Sequence, residues 1–521
     1  MNTRQRRTAQ QRIIEQRIIE QRIIEQRTNE RPALRIAPLM PNPVCVPGSG
    51  QSCEHALVDQ ALNAALYDYE TRVSARFGAV IDTLKAISAL QFAPDFVPRA
   101  QALAVRNLGY ALPESQLNQT WISGLDIRGL HAHCMLHTFK FCVDQAAIDK
   151  ALWLADEAIN GQFLRDCGFH TVDITPCADG RLQGLVPFVL RMAPGPEITV
   201  KAYAGSLFDI EGDINDWSHR EILRLSGGLP AGSERGNYLK IAVYHFSSAS
   251  PQHQGCAAHG SNDALACEEA LQRLDALRTA IESTYGHGAA PDTLLIGLDT
   301  DLDAIRIHTP DGAGRIDAAR FIDAGAVYRA TIGIAPQAAR EALQREVAAQ
   351  AEGGMSAGMR ALVERLLEAN LSQIEYVIQH HAGRYAELGH DEHFICAGEA
   401  PTKVHIRNMY YFAHLDTVEE GAADLDVGIK IFTGLNLAHG LAIPVLVHFS
   451  HDSNVPGGRE RAVLRCCRVK AAIEERYAAL AAHGQLHCQM AVSDRNGAEL
   501  CCFIDEPSAQ AALGHHAGHF S

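Results

Sequence analysis

The sequence predicts an α/β protein with three folded parts: a helical N-terminal domain, an α/β domain on a parallel sheet, and a degenerate second copy of that domain. Three observations carry this reading. Apolar residues recur at helical spacing from His55 to Leu90 without a proline, and again over 143–163. From about residue 165 short apolar runs alternate with helical stretches, as expected of a parallel sheet flanked by helices. Finally, Leu441-Ala-Ile-Pro-Val-Leu-Val-His448-Phe-Ser450 echoes Lys240-Ile-Ala-Val-Tyr-His245-Phe-Ser247, with the His-Phe-Ser steps in register. The expected boundaries are 1–54 for a disordered basic repeat tail and linker, 55–155 for the helical domain, 156–396 for the first α/β domain and 397–521 for the second copy.

The chain's 521 residues are enough for several buried cores, and 47% hydrophobic with 21% charged residues is an ordinary soluble composition. No apolar run reaches the roughly 18 residues of a membrane span, and no apolar stretch with a cleavage site opens the chain. Neither bilayer insertion nor standard export is expected. A net charge of −15 argues against generic nucleic-acid binding by the folded part. The 14 cysteines are scattered, which suits a reduced, intracellular protein using some of them as ligands. Cys45 and Cys53 are the best disulfide suspects, while Cys466-Cys467 and Cys501-Cys502 read as buried or bystander thiols.

Residues 1–31 stand apart. Gln-Arg-Ile-Ile-Glu occurs three times in tandem, at 11–15, 16–20 and 21–25. A five-residue period turns about 140° per repeat on a helix, so the isoleucine pairs form no single stripe and no coiled-coil seam. The segment is basic beside an acidic body, and reads either as a solvated tail or as a multivalent tether for an acidic partner. Residues 32–54, rich in proline and carrying Gly48-Ser49-Gly50, read as a linker.

Within the helical domain His131, His133, Cys134, His137 and Cys142 gather, but their spacing matches no standard ligand frame. A helix with His and Cys on its packed face is the expectation. Buried strands are predicted over 169–174, 238–246 and 293–298, with a helix over 263–285. Ligands in such sheets collect at the carboxyl ends of strands. Cys177 and His245 both fall at such ends.

Cys177-Ala-Asp179-Gly-Arg181, His245 and Cys256 together specify a metal site. Two thiolates and one imidazole are three zinc ligands, leaving one tetrahedral position open for water. Zinc lowers the pKa of that water from about 15.7 to around 7. Thiolates donate more charge than imidazoles, so this zinc should be the weaker acid, and Asp179 is the natural compensator. Held ionised by Arg181, it accepts the water's hydrogen bond; alternatively it swings onto the metal as a fourth ligand. His253 and His259 compete with His245 as the third ligand, although a strand end fixes a ligand more rigidly than a loop. No Cys-x-Asp-x-Arg occurs in the second half. The second copy is therefore expected to lack metal, with His448 a relic or a packed histidine.

Cys-x-Asp-x-Arg, an apolar strand ending in His, then Cys opening a helix, resembles the β-class carbonic anhydrases. The closer resemblance is to their divergent epsilon branch, the carboxysome shell carbonic anhydrases. The matching text includes Asp166-Cys-Gly-Phe-His170, Pro176-Cys-Ala-Asp-Gly-Arg-Leu182, Lys201-Ala-Tyr-Ala-Gly-Ser206 and Gly255-Cys-Ala-Ala-His-Gly-Ser-Asn-Asp263. It continues through Asn370-Leu-Ser-Gln-Ile374 and Asp426-Val-Gly-Ile-Lys-Ile-Phe432, spanning roughly residues 85–465. The resemblance implies a helical domain, a β-carbonic-anhydrase-like catalytic domain and a zinc-less copy. It also implies one Zn2+ on Cys177, His245 and Cys256, with the Asp179–Arg181 dyad beside it and His390 near the zinc for proton transfer. The implied reaction is reversible hydration of CO2 to bicarbonate, supplying Rubisco inside a carboxysome of the bacterial cytoplasm, by a homo-oligomer. The repeats lie outside the resemblance, so an acidic tail partner follows from charge alone; Rubisco and shell proteins are the candidates that the resemblance implies.

Two rival classes are weighed against this. Tyr410-Tyr-Phe-Ala-His414-Leu-Asp416-Thr-Val-Glu-Glu420, with Asp424, Asp426 and Lys430, resembles the metal-ligand strand of di-zinc aminoacylases and peptidases, but too little chain follows for the remaining ligands. A non-catalytic scaffold with structural zinc needs a fourth protein ligand, from His253, His259 or Asp179. Asp299-Thr-Asp301-Leu-Asp303 lacks the glycine and glutamate of a calcium loop and reads as turn carboxylates at a strand end.

Overall fold

The computed structural model describes residues 54–146, 159–193, 197–226, 238–286, 289–311, 315–351, 354–401, 406–415, 418–497, 500–505 and 507–510. The tail repeats, Cys45 and Cys53 lie outside the described residues.

Helix α1 (Gln60–Ser88) starts at Asp59, whose carboxylate accepts from the Leu62 N–H, satisfying one of the donors every helix start leaves open. It buries Leu66, Tyr69, Val73, Phe77, Val80, Leu84 and Ile87 at steps of three and four residues. Helices α2 (Phe96–Leu108), α3 (Glu114–Ser123) and α4 (Ile127–Ala146) complete the helical part. The His/Cys cluster sits on α4 as packed residues: His131, Cys134 and Cys142 are buried, and the His133 and His137 rings stack 3.8 Å apart. The predicted helix over 143–163 is not continuous. Ile159 forms a β-bridge with Met192, and Asn160 caps a separate short helix, α5 (Gly161–Asp166), by accepting from Phe163 N–H.

The first sheet contains β1 (Thr171–Pro176), β2 (Ile198–Val200), β3 (Tyr238–Phe246), β4 (Asp292–Asp299), β5 (Ala304–Pro310) and β6 (Ile316–Asp323), in the order β2-β1-β3-β4-β5-β6. Helices α6 (Ile210–Ser226) and α7 (Asp263–Tyr285) cross between its parallel strands. All nine residues of β3 are buried, which is why it reads as an unbroken apolar run. Its one charge, Lys240, is fully buried on Asp173 at 3.1 Å and Asp213 at 2.5 Å. The sheet is mixed, not wholly parallel: β5 runs antiparallel to both its neighbours, β4 and β6. The physical reason lies in the connection, because the turn 300–303 is far shorter than the dozen or more residues a parallel crossover needs.

Helices α8 (Ala324–Thr331), α9 (Pro336–Gln350) and α10 (Ala357–His380) follow. A second sheet is built from β7 (Phe394–Gly398), β8 (Tyr410–His414), β9 (Ile443–His451), β10 (Leu486–Asp494) and β11 (Cys502–Ile504), ordered β11-β10-β9-β7-β8. Helices α11 (Val418–Leu435), α12 (Gly458–Arg476) and α13 (Ala478–Ala482) accompany it. Strands β8, β7, β9, β10 and β11 occupy the places of β2, β1, β3, β4 and β5, with the last pair again antiparallel. The echo in the sequence is thus an echo in topology.

The two sheets meet at the loop after β1. Phe412 N–H donates to Ala178 O at 2.9 Å, Asn408 N–H to Gly180 O at 2.8 Å and His414 N–H to Ala202 O at 3.2 Å. Ala178 packs into the core of the second sheet. The loop that carries Cys177 and Asp179 is therefore clamped from both sides.

Candidate metal centre

Cys177 follows the last residue of β1, and His245 is the penultimate residue of the neighbouring β3, so parallel pairing alone brings them to one end of the sheet. Cys256 arrives through the loop after β3. That loop is tied down by Asp301, which accepts from Ser247 Oγ at 2.9 Å, Ser248 Oγ at 3.3 Å and Ala249 N–H at 2.5 Å. Asp299 accepts from Ser248 N–H and Asp303 from Gln373 and Tyr385. The acidic turn is a clamp for the ligand loop, with its carboxylates spent on protein donors.

The ligand atoms of Cys177, His245 and Cys256 lie within 4.8 Å of one another, and all three residues are buried. The two sulfurs are 3.8 Å apart. A tetrahedral ion with Zn–S bonds of about 2.3 Å sets its sulfurs about 3.8 Å apart, so the thiols already have the spacing zinc requires. Neither ring nitrogen of His245 makes a hydrogen bond, although the residue is wholly buried. Its Nε2 lies 3.5 Å from Asp179 Oδ2, too far for a well-made hydrogen bond, and buried polar atoms without one are uncommon. The Cys177 thiol is pushed well up by its contact with Cys256 and by burial, while the same contact pulls Cys256 down. Without a metal the pair holds on to a proton that a divalent ion displaces.

Asp179 lies two residues on. Its Oδ1 accepts from Arg181 Nε at 2.9 Å and from Arg181 N–H at 3.0 Å, and its Oδ2 from Arg181 Nη2 at 2.7 Å. Burial pushes this carboxyl up, but Arg181, with His390 and His245, overrides it and holds the carboxyl well below the usual range. Arg181 spends its remaining donors on three carbonyls: Gln254 at 2.5 Å, Leu388 at 2.8 Å and Gly255 at 3.3 Å. One guanidinium thus ties the Cys177 loop to the Cys256 loop and to the segment before His390. His390 Nε2 lies 3.7 Å from Asp179 Oδ2 and its Nδ1 2.8 Å from Glu392 Oε1. Burial lowers this imidazole, yet Glu392 and Asp179 outweigh it and raise it to about 9. Glu392 also accepts from Gly180 N–H at 3.0 Å.

A narrow cavity opens on the cluster. It is lined by Cys177, Asp179 and His390, by the small side chains of Ala204, Ala257 and Ala258, and by Tyr411, Val427 and Ile431 from the second sheet and its helix.

Comparison with known proteins agrees with this geometry. Three family profiles match along the chain: Carboxysome Shell Carbonic Anhydrase, N-terminal, over 55–147; its catalytic domain over 159–390; and its C-terminal domain over 391–507. The carboxysome shell carbonic anhydrase of Halothiobacillus neapolitanus is 43% identical over 462 residues, covering 87% of this chain and 90% of that protein. The protein of that name from Parasynechococcus marenigrum is 44% identical over 448 residues, covering 85% and 77% respectively. The chain belongs to the carboxysome shell carbonic anhydrase family.

The Cys177, His245 and Cys256 group is consistent with a metal site in a carbonic anhydrase. The three profiles follow the helical part and the two sheets. No helix among the described residues is long and apolar enough to cross a membrane.

The rival sites come apart in the structure. Asp424 accepts from Ala204 N–H at 2.7 Å, and Asp426 is paired with Arg476 and Tyr477. Neither joins a metal-binding group with His414 among the described residues, and Asp416 lies outside them. Of the alternative ligands, His253 is exposed, and His259 contacts Cys256 Sγ from behind at 3.3 Å. In the second copy, His448 Nδ1 sits 2.7 Å from Glu399 O and Nε2 3.0 Å from Ser493 Oγ. Glu399, which follows β7 as Cys177 follows β1, is engaged with Arg465 and Arg495. His448 is a packed histidine.

Five residues at the site are not singled out by the sequence. Glu392 stands 212 residues from the Gly180 it touches, and no local motif marks it. Tyr411, Val427 and Ile431 line the cavity from the copy read only as a relic. Gly205, inside the matching segment 201–206, donates its N–H to Cys177 Sγ at 3.2 Å.

Proposed function

We propose that Cys177, His245 and Cys256 hold one Zn2+ per chain, and that Asp179, Arg181 and His390 run CO2 hydration around it. The 3.8 Å sulfur spacing beside a fully buried His245 that makes no hydrogen bond is the observation that carries this reading. Zinc bound there supplies a Lewis acid that makes water nucleophilic at neutral pH.

Asp179 accepts the hydrogen bond of the attacking water and so aims a lone pair at the carbon of CO2. Its ionised state, maintained by Arg181 against burial, is what lets it accept. The orienting role is favoured over direct ligation, because swinging onto the metal breaks a two-pronged bond to Arg181. His390, 3.7 Å from Asp179 at the cavity wall and backed by Glu392, relays the proton that turnover must remove: charged at neutral pH, it first releases its own proton to solvent and is then refilled from the water. The apolar wall of Val427, Ile431 and Tyr411 accepts an uncharged triatomic substrate and keeps bulk water out.

Stopped-flow CO2 hydration on wild type and Asp179→Ala, with zinc counted per chain, tests these assignments. The expected result is equal zinc in both and hydration lost in the variant. Equal activity in the two would remove Asp179 from the reaction.

We further infer that the enzyme works inside a carboxysome as a homo-oligomer, dehydrating bicarbonate to feed Rubisco. The basic repeats of residues 1–31 then tether it to an acidic partner, Rubisco or a shell protein. Deleting residues 1–31 should abolish salt-sensitive capture of that partner and leave hydration intact; loss of hydration with capture unchanged would reverse the assignment.

A further inference from the structure

We propose that Gly205, His259 and Glu269 form a hydrogen-bond frame behind the two cysteine ligands, with His259 a positioning residue that tunes Cys256. The inference rests on the reading that Cys177, His245 and Cys256 hold zinc.

Each sulfur has its own donor. The Gly205 N–H points at Cys177 Sγ over 3.2 Å, and His259 Nδ1 faces Cys256 Sγ at 3.3 Å. On its far side His259 Nε2 meets Glu269 Oε2 of α7 at 3.2 Å. A metal-bound Cys256 thiolate can only accept, so in the loaded site the donor of this contact is Nδ1–H. The ring is almost wholly buried, its side chain 2% exposed. Its place is set by a single turn of 3-10 helix (Ala257–His259), in which His259 N–H donates to Cys256 O at 3.1 Å.

Gly205 makes both contacts possible. Its φ of +68° turns the N–H onto Cys177, a conformation a side chain disfavours. A Cβ at this position would also lie 2.4 Å from His259 Cε1. One glycine therefore donates to the first sulfur and leaves room for the ring that donates to the second.

The chemical consequence answers the weakness of a two-thiolate site. A thiolate passes charge to the metal and makes it a poorer Lewis acid. An N–H aimed at each sulfur draws part of that charge back and fixes the direction of the lone pair. Partners of this kind, one step behind the ligands, change metal affinity or activity by about 10- to 100-fold when removed.

Two substitutions of His259 separate donation from space-filling. The amide nitrogen of His259→Asn falls near the place of Nδ1, and that of His259→Gln near the place of Nε2. Zinc affinity of the full-length chain, measured by chelator competition, should fall about 10- to 100-fold in His259→Gln and stay within about 3-fold of wild type in His259→Asn. In the cobalt-substituted protein the thiolate-to-cobalt charge-transfer band should move to lower energy in His259→Gln only. Equal affinities and spectra in the two variants, or the reverse order, overturn the proposal while leaving the zinc site standing. Wild type and both variants all failing to bind zinc would overturn the zinc reading itself, and this inference with it.

Discussion

Asp179 and Arg181, two residues apart, meet in a two-pronged ion pair: Oδ1 to Nε at 2.9 Å and Oδ2 to Nη2 at 2.7 Å, with both side chains shut off from solvent. Between them they join three loops, since the same guanidinium holds the carbonyls of Gln254, Gly255 and Leu388. Removing one member leaves the other charged and buried. Arg181→Ala is expected to cost about 3–5 kcal/mol in chemical denaturation. Arg181→Lys, which cannot offer two parallel donors, should recover only part of that. A wild-type denaturation midpoint in Arg181→Ala would show that the pair holds nothing together.

Gly180 marks a second point of sensitivity. A Cβ there would come within 2.3 Å of Glu392 Cγ, so Gly180→Ala displaces the carboxylate that faces His390 and Gly180 N–H. We expect zinc content to be unchanged and the hydration rate to drop by about 10-fold or more, the scale of losing one aligned proton-handling group. Stopped-flow rates at matched zinc content check this. An unaltered rate would remove Glu392 from the proton path.

Stability should fall with rising pH through Asp424. Its carboxyl is pushed from 3.8 up to about 7 by burial, which the Ala204 N–H only partly offsets. The folded pKa lies above the unfolded one, so the neutral acid favours the fold. That contribution is complete below about pH 4 and is lost as pH rises through 7. At 1.36 kcal/mol per pKa unit the loss is at most about 4 kcal/mol. Asp424→Asn keeps an acceptor for Ala204 and should flatten denaturation midpoints between pH 5 and 8. An unchanged slope would assign the pH dependence to other groups.

Chelation should expose the thiols chemically. With the metal removed, two sulfurs 3.8 Å apart need only close to about 2.05 Å to form a disulfide. Mild oxidation of the chelated protein is expected to remove two titratable thiols and link Cys177 to Cys256 in a peptide map, and bound zinc should prevent it. Identical maps with and without chelator would contradict the shared-metal arrangement.

What the sequence made legible follows from burial and proximity. Strand β3 was predicted with its observed bounds because all nine residues are buried, and α7 because a capped amphipathic run fills 263–285. Cys177 and His245 were readable as strand ends. Strand β6 was not legible: Asp317, Arg320 and Asp323 give it a partly exposed edge without a continuous apolar face. His259 reads in the sequence as a competing ligand, since a spacing of three from Cys256 suits a ligand and a donor to a ligand equally well; the structure sets its Nδ1 3.3 Å from Cys256 Sγ. Glu392 and the wall of Tyr411, Val427 and Ile431 are products of tertiary folding, reached only when the second sheet docks on the loop after β1.

If metal held by Cys177, His245 and Cys256 makes this cavity a CO2-hydrating site, activity must follow the metal. Stopped-flow hydration by the purified chain, by the same sample after chelation, and again after one equivalent of zinc is restored, tests it most directly. Activity, its loss, and its recovery in proportion to bound zinc are the expected results. Full zinc occupancy without hydration, under both reducing and oxidising conditions, would contradict them.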